Sequence, residues 1–595
     1  MAVLTPKYKF RLYVTFEVKP LLHLPHTIRL PKKLHFCHSE MSNNTQANMA
    51  VPTSTTPEQD IFRGCLKNLP NSVWGQTFAS LCPHDSELES HSKEVEALKV
   101  KVKNMLLHST KELTENIQFI NLLCRLGVSY HFEDEINEQL AHIFTRLPKL
   151  LEDNDYDLCI LANLFRILRQ YGYKMTCDVF KKFKDGDGEF KEGITNDVKG
   201  ILSLYEACFL AIHGEDMLDD ALAFTRKHLE ILAENSSPRL QKHIRNSLMC
   251  ASHRNIERID VLQYISFYEE DEYVDQTLLK FAKLDYNGLQ LLYKKELSLL
   301  SSWWKNLNVA ENLPYVRDRL VEGYMWALGS CFEPQYSLSR ILISKYVTVV
   351  TMLDDTYDSY GTIDELRLFT AALQRPTKEV VDKLPEPMKF IYKAIFELTE
   401  NDENQGCSCK TTFASEMMLE LAMAYNIETI WQKERKAPSF DEYMRNGKVT
   451  STYDILTSAF ILGVENMGMK EMLWIRNDSK IIIGAKLYTR FLNDVIKNET
   501  KRGDFPKAID CYTIQYGVSE DEATEAIFKI LENKWKEMNE ELMKPTTISR
   551  MLLKYTFNYA RASMLFCLNK DIDLYTYAHN MKPLITSLLI NPLPM

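Results

Sequence analysis

The sequence predicts an all-α protein, and three observations carry that expectation. Over 595 residues there are only 20 glycines and 21 prolines. So few breakers favour long helices over many short strands. From about residue 90 onward, apolar residues recur at intervals of three and four, which lines them along one helical face. Strand-like alternation is absent over any useful length. Apolar residues make up 45% of the chain and aromatics 11%, enough to fill large cores, and the length allows roughly two to four domains.

The elements follow in chain order. In SKEVEALKVKVKNMLL, Val95, Leu98, Val102 and Leu106 form one stripe of an amphipathic helix. LCILANLFRIL at 158–168 falls short of the ~20 residues that span a bilayer, and reads as a buried helix. KDGDGEF at 184–190 hints at a calcium loop, but the loop's sixth position, which must be glycine, is Phe190. A turn is expected there. In HGEDMLDDALAFTRKHL, Asp216, Asp219 and Asp220 open a helix, where the positive helix end favours acids. Ala282, Tyr286, Leu289, Tyr293, Leu297 and Leu300 form a second long stripe. A boundary is expected within 255–275, where HRNIERIDVLQYISFYEEDEYVD runs from a basic start into an acidic turn. It divides a helical domain over 60–270 from another over 271–595. No period of 20–50 residues repeats, so a solenoid is not indicated.

Charge and cysteine usage narrow the function. The net charge is −10 and no basic stripe exists, which argues against nucleic acid and anionic membrane as partners. An acidic protein that binds an anion needs local positive charge, which metal ions supply. Thirteen cysteines are scattered singly, except Cys407 and Cys409 in NQGCSCKTTF. One C-x-C falls short of the four ligands of a structural zinc site, so free thiols in a reducing compartment are expected. The first forty residues are basic, with few acids and one serine, whereas transit peptides are serine-rich. Residues 1–59 are expected to be a disordered or misassigned extension. The expected location is the cytoplasm, with the plastid as the alternative if residues 1–40 are a targeting signal.

The chemistry concentrates in VTVVTMLDDTYDSYG. An apolar helix ends there in Asp354, Asp355 and Asp358. Asp354 and Asp358 stand four apart, on one helical face. Three acids at the negative end of a helix are unfavourable without a counter-ion. Mg²⁺ suits the gap, because it takes oxygen ligands and shares carboxylates with phosphates. Arg317 and Arg319, in NLPYVRDRLVEGYMW, are candidates to grip a phosphate bidentately. Far downstream, LYTRFLNDVIKNETKRGDF offers Arg490, Asn493, Asp494 and Glu499 as a second oxygen-rich set. No D-x-D-D occurs, so a reaction begun by protonating an alkene is unsupported.

Together these residues resemble the plant terpene synthase family, and more narrowly its sesquiterpene branch. The features are RDR at 317–319, FEPQYS at 332–337, LDDTYDSYGT at 353–362, and RFLND followed by ETKRGDFPKAIDCY at 490–512. NSVWG at 71–75 and DVKGILSLYEA at 197–207 carry the resemblance into the first half. It implies a C-terminal antiparallel helical bundle of the class I terpenoid synthase kind, holding the active site. An N-terminal relic α-barrel would carry no chemistry of its own. Asp354 and Asp358 would bind Mg²⁺ with Asp355 beside them, and Asn493 and Glu499 would hold a further ion. The resemblance implies three Mg²⁺ ions, for which Mn²⁺ can substitute. Arg317 and Arg490 would grip the departing diphosphate, Arg319 would join the catalytic residues, and Trp326, Tyr453 and Tyr575 would line the hydrocarbon pocket. The implied reaction is ionisation and cyclisation of farnesyl diphosphate by a monomer. The alternatives are geranyl diphosphate as substrate, or an impaired, non-enzymatic homologue.

One departure bears on that last alternative. The family's second metal motif runs Asn/Asp, then Ser/Thr four on, then Glu eight on. Here Glu499 follows Asn493 by six, and the strict positions hold Lys497 and Lys501. Two missing residues turn Glu499 by about 160° on a regular helix. LQRP at 373–376 also lacks the Trp-Asp often found there.

Overall fold

The computed structural model describes residues 72–81, 83–109, 112–375, 377–400, 408–496, 506–566 and 573–595. Among them, every regular element is helical, apart from isolated bridges such as that between Lys184 and Phe190. The all-α expectation is met. That bridge closes the KDGDGEF segment as a turn, in which Asp185 accepts the backbone N–H groups of Asp187 (3.0 Å) and Glu189 (3.1 Å). No described helix is long and apolar enough to cross a membrane. The expectations for residues 1–59, Cys407 and Glu499 lie outside the described residues.

The N-terminal half builds its own core. The helix Asp85–His108 buries Val95, Val102 and Leu106, three of the four residues in the expected stripe. The helix Leu158–Gln170 starts at Asp157, whose carboxylate accepts the Ile160 N–H at 2.8 Å and caps an exposed donor. Nearly all of that helix is buried, as its continuous apolar run requires. Asp216 and Asp219 lie in the first turn of the helix Asp216–Glu234, and Asp219 also pairs with Lys536 at 2.7 Å.

The C-terminal half packs around the helix Ser337–Asp355, called here the aspartate helix. It buries Ile343, Tyr346, Val349, Met352 and Leu353 on several faces, so it is a core element. Its buried Arg340 donates Nε and Nη2 to Glu296 at 2.9 and 2.7 Å, and Nη1 to the carbonyls of Cys331 and Glu333. A buried guanidinium is tolerated when its donors are satisfied in this way. The pair ties the aspartate helix to the long helix Gln276–Leu307.

That long helix has 32 residues and runs about 48 Å. Its first turns, Leu278 to Tyr286, complete the N-terminal core. Its later turns, Leu289 to Leu300, pack with Trp74, Phe78 and the C-terminal residues Ile585, Leu588 and Leu589. The expected boundary at 270/271 falls just before it, after the helix Glu257–Glu269. Both ends of the described chain are held against this helix and the arginine segment, residues 317–319 with the helix Leu320–Ser330 that follows. The Trp74 indole N–H donates to Glu322 at 2.8 Å, and Gln290 donates to the Leu588 carbonyl at 2.9 Å.

Candidate active site

The aspartate helix changes character at its end. After Asp355 it passes into a π turn, Thr356–Tyr360, closed by the Gly361 N–H on the Thr356 carbonyl at 2.9 Å. The Thr356 hydroxyl bonds back to the Met352 carbonyl at 2.7 Å, a contact that bends helices. π turns widen the helix and concentrate at functional sites. Along this element Val347, Val350, Thr351, Asp354 and Asp358 face one cavity of about 250 Å³. The wall therefore changes from apolar to acidic over roughly 16 Å, at a rise near 1.5 Å per residue.

Asp354 and Asp355 part company. Asp354 lines the cavity and accepts Arg317 Nη2 at 2.6 Å. Asp355 is fully buried behind the wall, where one oxygen accepts the Arg317 backbone N–H at 2.8 Å and the other lies 2.8 Å from Arg317 Nη2 as an ion pair. Asp355 thus fixes the arginine segment and does not line the cavity. Arg317 also donates Nη1 to the Thr576 hydroxyl at 3.0 Å. Arg319 is not on the cavity wall. Its guanidinium donates to the carbonyls of Asp318 (2.7 Å), Tyr575 (2.9 Å) and Thr576 (2.7 Å), so it holds the segment bearing Tyr575.

The opposite wall is the helix Lys480–Asp494, which presents Thr489, Arg490 and Asn493. Arg490 donates Nε to the Tyr443 hydroxyl at 2.7 Å and lies 3.4 Å from Asp494 and 3.7 Å from Glu428. Glu428, on the helix Ser408–Glu434, faces the cavity and accepts the Thr450 hydroxyl at 2.9 Å. Neither Glu428 nor the rim residues Lys507 and Asp573 stood out in the sequence. They reach the site from separate helices and loops, and no local spacing marks them.

The aromatic floor is formed by Trp326, Phe566 and Tyr575. Trp326 stacks on Phe566 with centroids 4.9 Å apart, and the Tyr575 hydroxyl lies 2.8 Å from that of Thr351. Tyr453 is different. The helix before it ends at Ser451, and Thr452 adopts a left-handed φ of 62° before the next helix starts. That conformation is rare for a β-branched residue and marks a strained, over-determined break. The break presents Ser451 and Thr452 to the cavity, while Tyr453 turns away to Thr556, hydroxyl to hydroxyl at 2.8 Å. Tyr453 is fully buried behind the wall, so its neighbours take the place expected for it.

The electrostatics suit a bound cation. Among the described residues, five carboxylates (Asp354, Asp358, Glu428, Asp494 and Asp573) face the cavity against three cationic groups, Arg317, Arg490 and Lys507. Burial pushes the Asp354 carboxyl up to about 6, against the pull of Arg317. Burial, with the charges of Asp354 and Glu428, pushes Asp358 well above the usual range. Burial raises Glu428 too, against Arg490. Among the described residues no three His, Cys, Asp or Glu side chains close into a metal cage. An all-oxygen set that is open in this way fits Mg²⁺, which keeps waters and shares a few carboxylates with phosphate oxygens.

The sign of the pH effect follows. A carboxyl raised in the fold contributes stability at low pH that is lost as pH rises through the folded value. For Asp354 that loss falls between its ordinary 3.8 and about 6. A divalent cation reverses the loss by favouring the ionised form. Adding Mg²⁺ should therefore raise the melting temperature little at pH 5 and by about 2–4 °C at pH 8. Calorimetric scans with Mg²⁺ or EDTA check this, and an equal rise at both pH values contradicts it.

The chain is similar to known proteins. The family profile described as "Terpene synthase, N-terminal domain" matches residues 73–248, and "Terpene synthase family, metal binding domain" matches 305–537. Terpene synthase 5 of Ricinus communis is 56% identical over 545 residues, 91% of this chain and 98% of that protein. Hedycaryol synthase of Camellia brevistyla is 41% identical over 541 residues, 89% of this chain and 97% of that protein. The crystal structure of isoprene synthase from grey poplar, in complex with three Mg²⁺ ions and dimethylallyl-S-thiolodiphosphate, superposes with a TM-score of 0.79. It is 30% identical, covering 86% of this chain and 98% of that one. With both halves matched and the relatives aligned over nearly their whole length, the chain belongs to the terpene synthase family, has its two-domain all-α fold, and is a lyase.

Proposed function

We propose that the protein ionises farnesyl diphosphate, releases diphosphate and cyclises the resulting cation to a sesquiterpene. The observation that carries this reading is the cavity's division into an acidic, arginine-bearing end and an apolar, aromatic one. A trianionic diphosphate would be repelled by a cavity whose described residues hold more carboxylates than cationic groups, so the acidic end needs divalent cations before it can take substrate. Asp354 and Asp358 would hold Mg²⁺ on one wall and Asn493 would hold a further ion on the other, with Glu499, outside the described residues, as the second ligand that the resemblance implies. The ion count of three is taken from the isoprene synthase complex, and Mn²⁺ is the proposed substitute. Bound Mg²⁺ would supply positive charge to the departing diphosphate.

The chain's own residues do the rest. Arg317 and Arg490 bind diphosphate oxygens, and their fixed charge favours the leaving group as it departs. Arg319 positions the segment that carries Tyr575. Trp326, Phe566 and Tyr575 turn π faces or edges to the hydrocarbon, where aromatic faces attract a carbocation. Val347, Val350 and Leu456 keep water from quenching that cation. No general acid–base pair is required.

The choice of farnesyl diphosphate rests on the sesquiterpene-branch motifs and on the relative named for hedycaryol, a sesquiterpene. A monomer in the cytoplasm is proposed on the same resemblance. The purified protein is to be incubated with Mg²⁺ and geranyl, farnesyl or geranylgeranyl diphosphate, and its products read by gas chromatography–mass spectrometry. Farnesyl diphosphate should give the highest kcat/KM and a fifteen-carbon product. A better rate with another chain length would overturn the substrate, and no product from any would overturn the reaction.

A further inference from the structure

A second cavity, of about 430 Å³, opens where the two halves of the chain meet. Its cationic groups are unevenly served. Lys554 pairs with Glu333 at 2.9 Å and Glu257 at 3.4 Å, and Arg561 reaches Glu257 at 3.5 Å. Arg125 lies 3.7 Å from Asp260 and 4.0 Å from Glu206. Arg166 and Arg550 have no such partner among the described residues. Arg166 donates to the side-chain oxygens of Asn121 and Gln170, the latter at 3.4 Å. Arg550 donates to the carbonyls of Leu542, at 3.3 Å, and Gln170.

Gln170 therefore contacts both guanidinium groups, one through its side chain and one through its backbone. One comes from each half of the chain. The approach is made possible by Gly172. It has a left-handed φ of +85°, and a Cβ there would lie 2.8 Å from Arg550 Nη1 and 2.7 Å from the Leu542 carbonyl. Burial holds both arginines below their ordinary pKa, against the opposing pull of Glu206 and Asp260 on Arg166 and of Glu133 on Arg550, so both guanidinium groups are poorly solvated here. Nearby, the buried Nε of Arg125 has no acceptor. The remaining acids of the cavity, Glu133 and Asp134, are exposed, and neither is within ion-pair distance of Arg166 or Arg550. An anion with several oxygens would offset this charge and match the planar donor forks.

We propose that this inter-domain cavity binds a small oxyanion, inorganic phosphate or diphosphate, between Arg166 and Arg550. Diphosphate is the leaving group of the reaction proposed above, whereas the phosphate arm of the test is independent of that reading. The site gives the N-terminal half a ligand of its own and makes docking of the two halves sensitive to it.

The test is calorimetric titration of the full chain with inorganic phosphate, and separately with diphosphate, in EDTA at matched ionic strength. Binding is expected with a Kd below about 1 mM. It should weaken at least about tenfold in Arg550→Gln and in Arg166→Gln. Arg550 is only half-buried, so Arg550→Gln is the variant expected to fold, checked by circular dichroism. Arg490→Gln, in the catalytic cavity, should leave the affinity unchanged. Diphosphate binding tighter than phosphate supports the reaction product as ligand, and equal affinities support free phosphate. No heat at 10 mM of either anion overturns the proposal. So does full affinity in Arg550→Gln, or a loss confined to Arg490→Gln.

Discussion

Asp358→Asn should lower kcat by at least about 10³-fold, some 4 kcal/mol of barrier, while leaving the metal-free fold as stable as the parent or more so. The two effects have one cause. Burial and the neighbouring charges of Asp354 and Glu428 disfavour the ionised Asp358 carboxyl when no cation is present. Asparagine keeps the shape and removes the charge, so the metal-free protein loses a cost. It also loses a donor on the wall proposed to hold Mg²⁺, and with it charge stabilisation of the leaving diphosphate. Stability given up for function is common at active sites. Product formation under saturating Mg²⁺ and the melting temperature in EDTA are the two readouts. Near-parental turnover, or a large fall in melting temperature, would show that Asp358 is a structural residue.

Much of the fold was legible because helices advertise themselves locally. The Val95–Leu106 stripe and the largely apolar 158–168 run each dictate a burial pattern, and those patterns appear. The division of labour in the long helix was not legible. Leu278–Tyr286 and Leu289–Leu300 follow one period in sequence, yet they serve different cores, and only packing partners decide that. At the site, Asp354, Asp358, Arg317, Arg490 and Asn493 meet at one cavity, and their charge and spacing had marked them. Asp355 has the same chemistry as Asp354, but one residue of rotation takes it to the far side of the wall, onto Arg317. Tyr453 was misplaced by the left-handed Thr452, since nothing in TSTYD warns of a break that glycine would usually signal. Glu428, Lys507 and Asp573 gain meaning only from tertiary proximity.

The largest expected gain of function lies on the opposite wall. Asn493 lies in the last turn of the helix Lys480–Asp494 and faces the cavity, as the first position of the proposed second metal set requires. The residues four and eight further on are Lys497 and Lys501, and an ammonium cannot ligate a cation. Glu499 lies two residues early, about 160° from where a regular helix would need it. Inserting Ser-Ala between Ile496 and Lys497 puts a hydroxyl four residues after Asn493 and moves the glutamate to eight. If the shortened segment limits metal binding, kcat should rise about 10–100-fold, and the Mg²⁺ concentration for half-maximal rate should fall by a similar factor. Those factors correspond to about 1.4–2.7 kcal/mol, the scale of one or two charge-assisted contacts. An Ala-Ala insertion separates the contributions. It restores the glutamate's phase without the hydroxyl, so an intermediate gain assigns part of the effect to each ligand. Unchanged kinetics in both insertions would mean that the segment meets the metal without regular helical phase, and the spacing argument would fail. Glu499→Gln in the parent background then decides whether the glutamate takes part at all, because a residue already out of reach loses nothing when its charge is removed.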